Sequence, residues 1–278
     1  MTDTYHLSDW VKRYLVIRKP ELNRSTLISY RKTCRLLIEF FEGDPELCDI
    51  TKPDATDFKN HLITCLEYEE STAAKIIKES KVIFDRAVDE DRIQSSPFGR
   101  VKCKAPIKSM HDRFMVPEKD VLQVMESSPT FKMFTALIFW GGLRRSEALY
   151  LKWDHVHLSS NKLIVEPRAG KVTTKQRVRE VRIEPELAAL LLRGPQGTET
   201  VAGLGKKASS INKLLNNACD NAGVQRFTPQ QLRQTRATVW NTQYPRWIAA
   251  YWMGHSEATA KNHYLSVPED YYSNQHAA

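Results

Sequence analysis

The chain has 278 residues, with 41 Lys+Arg against 33 Asp+Glu, a formal charge of +8, and a hydrophobic fraction of 41%. That fraction excludes a disordered chain, and the length suits one large domain or two unequal ones. No apolar run reaches the roughly 18 residues of a membrane span. The polar opening MTDTYHLSDW lacks signal-peptide character. A cytoplasmic protein is expected, and the basic balance points to a polyanion, with nucleic acid first. The five cysteines (Cys34, Cys48, Cys65, Cys103, Cys219) are scattered and form no CxxC pair. Reduced thiols and no structural zinc are therefore expected. Nothing resembles HExxH, a P-loop or GxGxxG, so neither a metal nor a cofactor is expected.

The elements follow in chain order. LSDWVKRYLVIRK places Leu7, Trp10, Val11, Tyr14 and Leu15 on one helical face. STLISYRKTCRLLIEFFEG predicts a helix capped by Ser25 and stopped at Gly43. KPDATDFKNHLITCL and STAAKIIKESKVIFDRAVDED predict two more, completing a four-helix bundle over residues 1–98. The segment 99–115 reads as a linker. Its basic residues Arg100, Lys102, Lys104, Lys108 and Arg113 are either phosphate contacts or a solvated face. From 116 to 278 a second domain is expected. PEKDVLQVMES, TFKMFTALIFWGGL, ELAALLLRG, SSINKLLNNACDNAG, TPQQLRQTRATVWNTQ and RWIAAYWMG read as helices. The β-branched runs KLIVEP and VREVRIEP flank RAGKVTTKQR and predict a small antiparallel hairpin. The fold class expected is mainly α with a small antiparallel β-sheet.

Three segments carry candidate chemistry. In GGLRRSEALYLKW, Arg144 and Arg145 sit at a turn, Ser146 is a candidate cap and Glu147 falls in the first turn of the next helix. In TPQQLRQTRATVW, Thr228, Pro229 and Gln231 make a strong helix start, and Gln230 and Arg233 lie three apart on one face. Arg233 stands among apolar residues, which suits either an anion site or an internal salt bridge. In WMGHSEATAKNHY, Gly254 closes a helix, His255 follows it, and Tyr264 comes nine residues later.

Taken together, GLRRSEALYLKW, TPQQLRQTRAT and MGHSEATAKNHY resemble the three signature boxes of the tyrosine recombinase/integrase family. Order, spacing and neighbours all match. The resemblance covers the whole chain and implies an N-terminal core-binding domain, a C-terminal catalytic domain, and cleavage of double-stranded DNA through a 3′-phosphotyrosine. It implies that Tyr264 is the nucleophile, with Arg144, Arg233 and His255 on the phosphate. A lysine on the hairpin turn would protonate the leaving oxygen: Lys175, with Lys171 as the alternative. It also implies a tetramer on two DNA sites, with accessory proteins as further partners. Where the family's second box usually begins with His, this chain has Gln230, which can donate a hydrogen bond but cannot shuttle a proton near neutral pH. Two alternatives stand beside the recombinase: a type IB topoisomerase-like relaxase, and a catalytically impaired DNA-binding relative. The tail after Tyr264 has two readings, docking on a neighbouring subunit or a frayed terminus.

Overall fold

The computed structural model describes residues 5–103, 115–166, 178–194, 198–204 and 210–254. Lys171, Lys175, His255 and Tyr264 lie outside the described residues, as do Lys104, Lys108 and Arg113. The chain divides into two compact units, Met1–Asp112 and Arg113–Ala278.

The N-terminal unit is built from α1 (Leu7–Arg18), α2 (Arg24–Phe40), α3 (Lys52–Thr64) and α4 (Glu70–Asp89). Their apolar faces close over Trp10, Tyr14, Leu37, Phe58 and Phe84, each at most 1% exposed. Burying Trp10 requires a partner for its indole N–H, which donates to the Ile83 carbonyl at 3.2 Å and ties α1 to α4. Glu79 is buried on α4 and is satisfied by the hydroxyls of Ser29 (2.7 Å) and Thr33 (2.6 Å) on α2. The cap of α2 is Asn23, not Ser25: the Asn23 side chain accepts from the Thr26 N–H at 2.9 Å, and Ser25 donates to the same oxygen at 2.7 Å. Both residue types cap well, and the helix starts two positions earlier than Ser25 would place it, with Asn23 as the cap.

The second unit begins with α5 (Glu118–Ser127), α6 (Pro129–Phe139) and α7 (Arg145–Tyr150). A small sheet follows, β1 (Val156–His157), β2 (Lys162–Val165) and β3 (Arg179–Arg182), all antiparallel in the order β1-β2-β3. The expected pairing is β2 with β3, in register Leu163↔Val181 and Val165↔Arg179. The two-residue β1 is an addition, too short to leave a periodic signal in the sequence. Then come α8 (Pro185–Arg193), α9 (Ile211–Ala222), α10 (Pro229–Gln243) and α11 (Arg246–Met253). The core gathers Phe134, Leu163, Val181, Leu187, Trp240 and Trp252, all fully buried. Helix α10 packs on α6, and α11 packs on β3 and α10. That packing brings the end of α6, the start of α10, the end of α11 and the start of β3 to one place. No described helix is long and apolar enough to cross a membrane.

Candidate active site

Arg144 is placed by the way α6 ends. Gly142 takes a left-handed φ of +59°, and a Cβ there would lie 2.8 Å from the Trp240 ring, so both backbone and space require glycine. The chain then turns into α7 with Arg144 as its N-cap in extended conformation. Ser146, the expected cap, lies inside the helix. Glu147 performs the capping instead, its Oε2 accepting from the Arg144 backbone N–H at 2.7 Å, as the positive helix start favours. Its Oε1 accepts from Arg144 Nη1 at 2.8 Å.

Arg233 comes from the second turn of α10, whose start is the expected capping box of Thr228 and Gln231. The side chain is 4% exposed. Its Nη1 donates to the Gly142 carbonyl and lies 3.7 Å from Glu147 Oε2, while Nη2 donates to the Met253 carbonyl. Of the two sequence alternatives for this residue, the internal salt bridge is the one observed: Arg233 belongs to the ion-pair network around Glu147. Burial, then the neighbouring charges of Arg144 and Arg179, pull its pKa down to about 9 against the opposing effect of Glu147, so it stays charged at neutral pH.

The sequence reading missed Arg179, the first residue of β3. Its Nη1 and Nη2 donate to Glu147 Oε1 (2.9 Å) and Oε2 (2.7 Å), and its Nε donates to the Trp252 carbonyl at 2.8 Å. A signal was available. Strand alternation puts Arg179 on the face shared by Val181 and Ile183, and an inward arginine needs a buried partner.

One carboxylate thus sits among three guanidinium groups. Burial pushes the Glu147 carboxyl up, but the hydrogen bonds and charge of Arg179 and Arg144 overcome this and hold it near a pKa of about 2. The three arginines also cap the end of α11: the carbonyls of Trp252, Met253 and Gly254 accept from Arg179, Arg233 and Arg144 in turn, the last at 2.6 Å. Helix C-terminal carbonyls lack partners within the helix and carry partial negative charge, so cations suit them. Gly254 itself has a φ of +58°, the left-handed close that was expected there. His255 is the next residue in sequence.

Gln230 stands exposed in the first turn of α10 and makes no hydrogen bond among the described residues. The structure thus brings Arg144 and Arg233 together and leaves Gln230 on the open side of α10. Among the described residues one group of metal-ligating side chains gathers, Glu46, Cys48 and Asp49 in the N-terminal unit, and it is largely exposed.

A family model described as the phage integrase family matches residues 115–270, and one described as the phage integrase SAM-like domain matches residues 6–104. The ICEBs1 integrase of Bacillus subtilis (strain 168) is 29% identical over 162 residues, which cover 54% of this chain and 44% of that relative. The chain thus matches less than half the length of this curated relative. Two solved structures share the fold. The Tn1549 transposon integrase in complex with transposon right end DNA has a TM-score of 0.74 at 16% identity, covering 96% of each chain. A lambda integrase tetramer bound to a Holliday junction has a TM-score of 0.73 at 18% identity, covering 95% of this chain and 81% of the other.

Proposed function

The chain belongs to the phage integrase family, and on that footing we propose that it is a site-specific tyrosine recombinase that cuts and rejoins double-stranded DNA. The observation that carries this reading is the convergence of Arg144 and Arg233 on Glu147 and on the last carbonyls of α11, immediately before His255 in sequence. Two guanidinium forks held at one place match the non-bridging oxygens of a phosphodiester. Such diesters react slowly unless charge is stabilised and the attacking group is positioned.

In the proposed step the Tyr264 hydroxyl gives its proton to solvent, its oxygen attacks phosphorus, and the bond to the 5′-oxygen breaks. The 5′-oxygen takes a proton from Lys175, or from Lys171 if that lysine occupies the turn. The DNA 3′-phosphate is left esterified to the tyrosine. Arg144, Arg233 and His255 stabilise the charge on the phosphate oxygens, and Gln230 donates a further hydrogen bond. A 5′-hydroxyl from a second duplex then reverses the step, which exchanges strands without hydrolysis.

In this reading residues 1–98 grip the duplex, 99–115 link, and 116–278 cleave. The exposed lysines Lys75, Lys78 and Lys81 recur every third residue along α4 and supply phosphate contacts. The proposed assembly is a tetramer on two sites, with accessory proteins as further partners; its proposed compartment is the cytoplasm. The test is to capture covalent species from a pool of nicked duplexes with randomised flanks, sequence the captured DNA, and offer two intact copies of that sequence for strand exchange. Recombinant joints support the recombinase; capture and relaxation without joints overturn it in favour of a topoisomerase-like enzyme.

A further inference from the structure

Arg179 is 7% exposed and Glu147 9%. Three of the Arg179 nitrogens are engaged within the protein, on both oxygens of Glu147 and on the Trp252 carbonyl. Its Nη1 and Nη2 are both committed to a carboxylate, unlike those of Arg233, which rest on neutral carbonyls, so the Arg179 fork is not available to a phosphate. It nevertheless touches the carboxylate that orients Arg144 and the helix end that accepts from Arg233 and Arg144. We propose that Arg179 is a positioning residue of the cleavage site. It fixes the Glu147 carboxylate at two points and the end of α11 at a third, and so sets where Arg144 and Arg233 present their guanidinium groups to a phosphodiester. The inference rests on the DNA-cleavage reading above and goes beyond it.

Competition for one carboxylate is the physical reason. A free Glu147 and Arg144, three apart on a helix start, would close into a two-point pair and use up the fork that a phosphate needs. Here Arg179 occupies both oxygens, and Arg144 gives Glu147 only Nη1 and its backbone N–H, with Nη2 on the Gly254 carbonyl. A carbonyl partner is neutral and is readily exchanged for an anionic phosphate, whereas a second bond to Glu147 is not. Gly254 fits the same arrangement: a Cβ there would lie 3.0 Å from Arg179 Cδ, Nε and Nη1, so the absence of a side chain leaves room for the guanidinium.

The test compares full-length wild type, Arg179→Lys, Arg179→Met and the pair Glu147→Gln with Arg179→Met. Three quantities are read: the rate of covalent capture from the randomised nicked-duplex pool, the dissociation constant for that pool, and the titration of the Glu147 carboxyl. The last uses 13C-labelled glutamate, assigned by the signal lost in Glu147→Gln. Arg179→Met is expected to slow capture by about 10- to 100-fold and to leave the dissociation constant within about twofold. It is also expected to move the Glu147 titration upward, with Arg179→Lys restoring part of both losses. Capture near the wild-type rate with an unmoved titration overturns the proposal. If Arg179→Met does not fold, the paired variant removes the orphaned charge: continued slow capture supports positioning, and wild-type capture overturns it. If wild type captures no DNA, the cleavage reading fails, and the titration in Arg179→Lys decides whether Arg179 holds Glu147.

Discussion

Arg179 and Glu147, one on β3 and the other on α7, face each other as a two-point ion pair at 2.9 and 2.7 Å inside the second unit. The pair makes stability depend on pH in a stated direction. The Glu147 carboxyl is held near a pKa of about 2, against an ordinary 4.5. A depressed acid contributes stability that is fully present above its unfolded pKa and is lost as pH falls through the folded one. The window is therefore about pH 4.5 down to about 2. Thermal unfolding across that window should fall more steeply for wild type than for Glu147→Gln. Parallel curves would mean the carboxylate is not held by its arginines.

Two left-handed glycines should respond differently to alanine. Gly223 has a φ of +66° with nothing within 4 Å of an added Cβ, whereas Gly142 has a φ of +59° and a Cβ there would lie 2.8 Å from Trp240. Gly223→Ala should cost about 1 kcal/mol from backbone strain alone. Gly142→Ala should cost that plus an overpacking penalty of about 1–3 kcal/mol, and should also displace the carbonyl that Arg233 uses. Urea unfolding measures both, and equal costs would refute the close packing of Gly142 on Trp240.

Gln230 is exposed and without a hydrogen bond among the described residues. Gln230→Ala should therefore leave unfolding within about 0.5 kcal/mol of wild type. If its amide meets the phosphate in the complex, the same change should slow covalent capture by roughly tenfold, the equivalent of one hydrogen bond. Capture at the wild-type rate would remove Gln230 from the site.

The lysine row on α4 makes a prediction about salt. Replacing Lys75, Lys78 and Lys81 by Gln should weaken DNA binding and flatten the dependence of log affinity on log salt by about 0.9 per lost phosphate contact. An unchanged slope, measured by fluorescence anisotropy from low to moderate salt, would place the phosphate contacts elsewhere.

What the sequence made legible was local. Thr228, Pro229 and Gln231 announce the start of α10 because capping acts within one turn, and Gly254 announces the end of α11 because only glycine adopts that close cheaply. The pairing of KLIVEP with VREVRIEP followed from composition and from the short connection between them. Arg144 and Arg233 stood out through their neighbours in the motifs. Less legible was anything decided by packing between distant segments. That Glu147 would answer three arginines depends on α11 lying against β3, and no spacing in the chain encodes this contact. Ser25 and Ser146 fit the composition of caps, yet Asn23 and Arg144 hold those positions: the Asn23 side chain accepts from the Thr26 N–H, and Glu147 accepts from the Arg144 N–H. Arg179 lay between the two cases: its inward place in the strand was readable, but its partner was not.

Cleavage of DNA through Tyr264 is the proposal on which the other functional predictions depend. The most direct measurement offers wild type and Tyr264→Phe the same nicked-duplex pool, separates the products on denaturing gels, and maps any protein–DNA adduct by mass spectrometry after nuclease and protease digestion. An adduct is expected for wild type, carried on the peptide that contains Tyr264, and none for Tyr264→Phe. An adduct that persists in Tyr264→Phe, or a wild type that binds duplex yet forms no adduct, would contradict it.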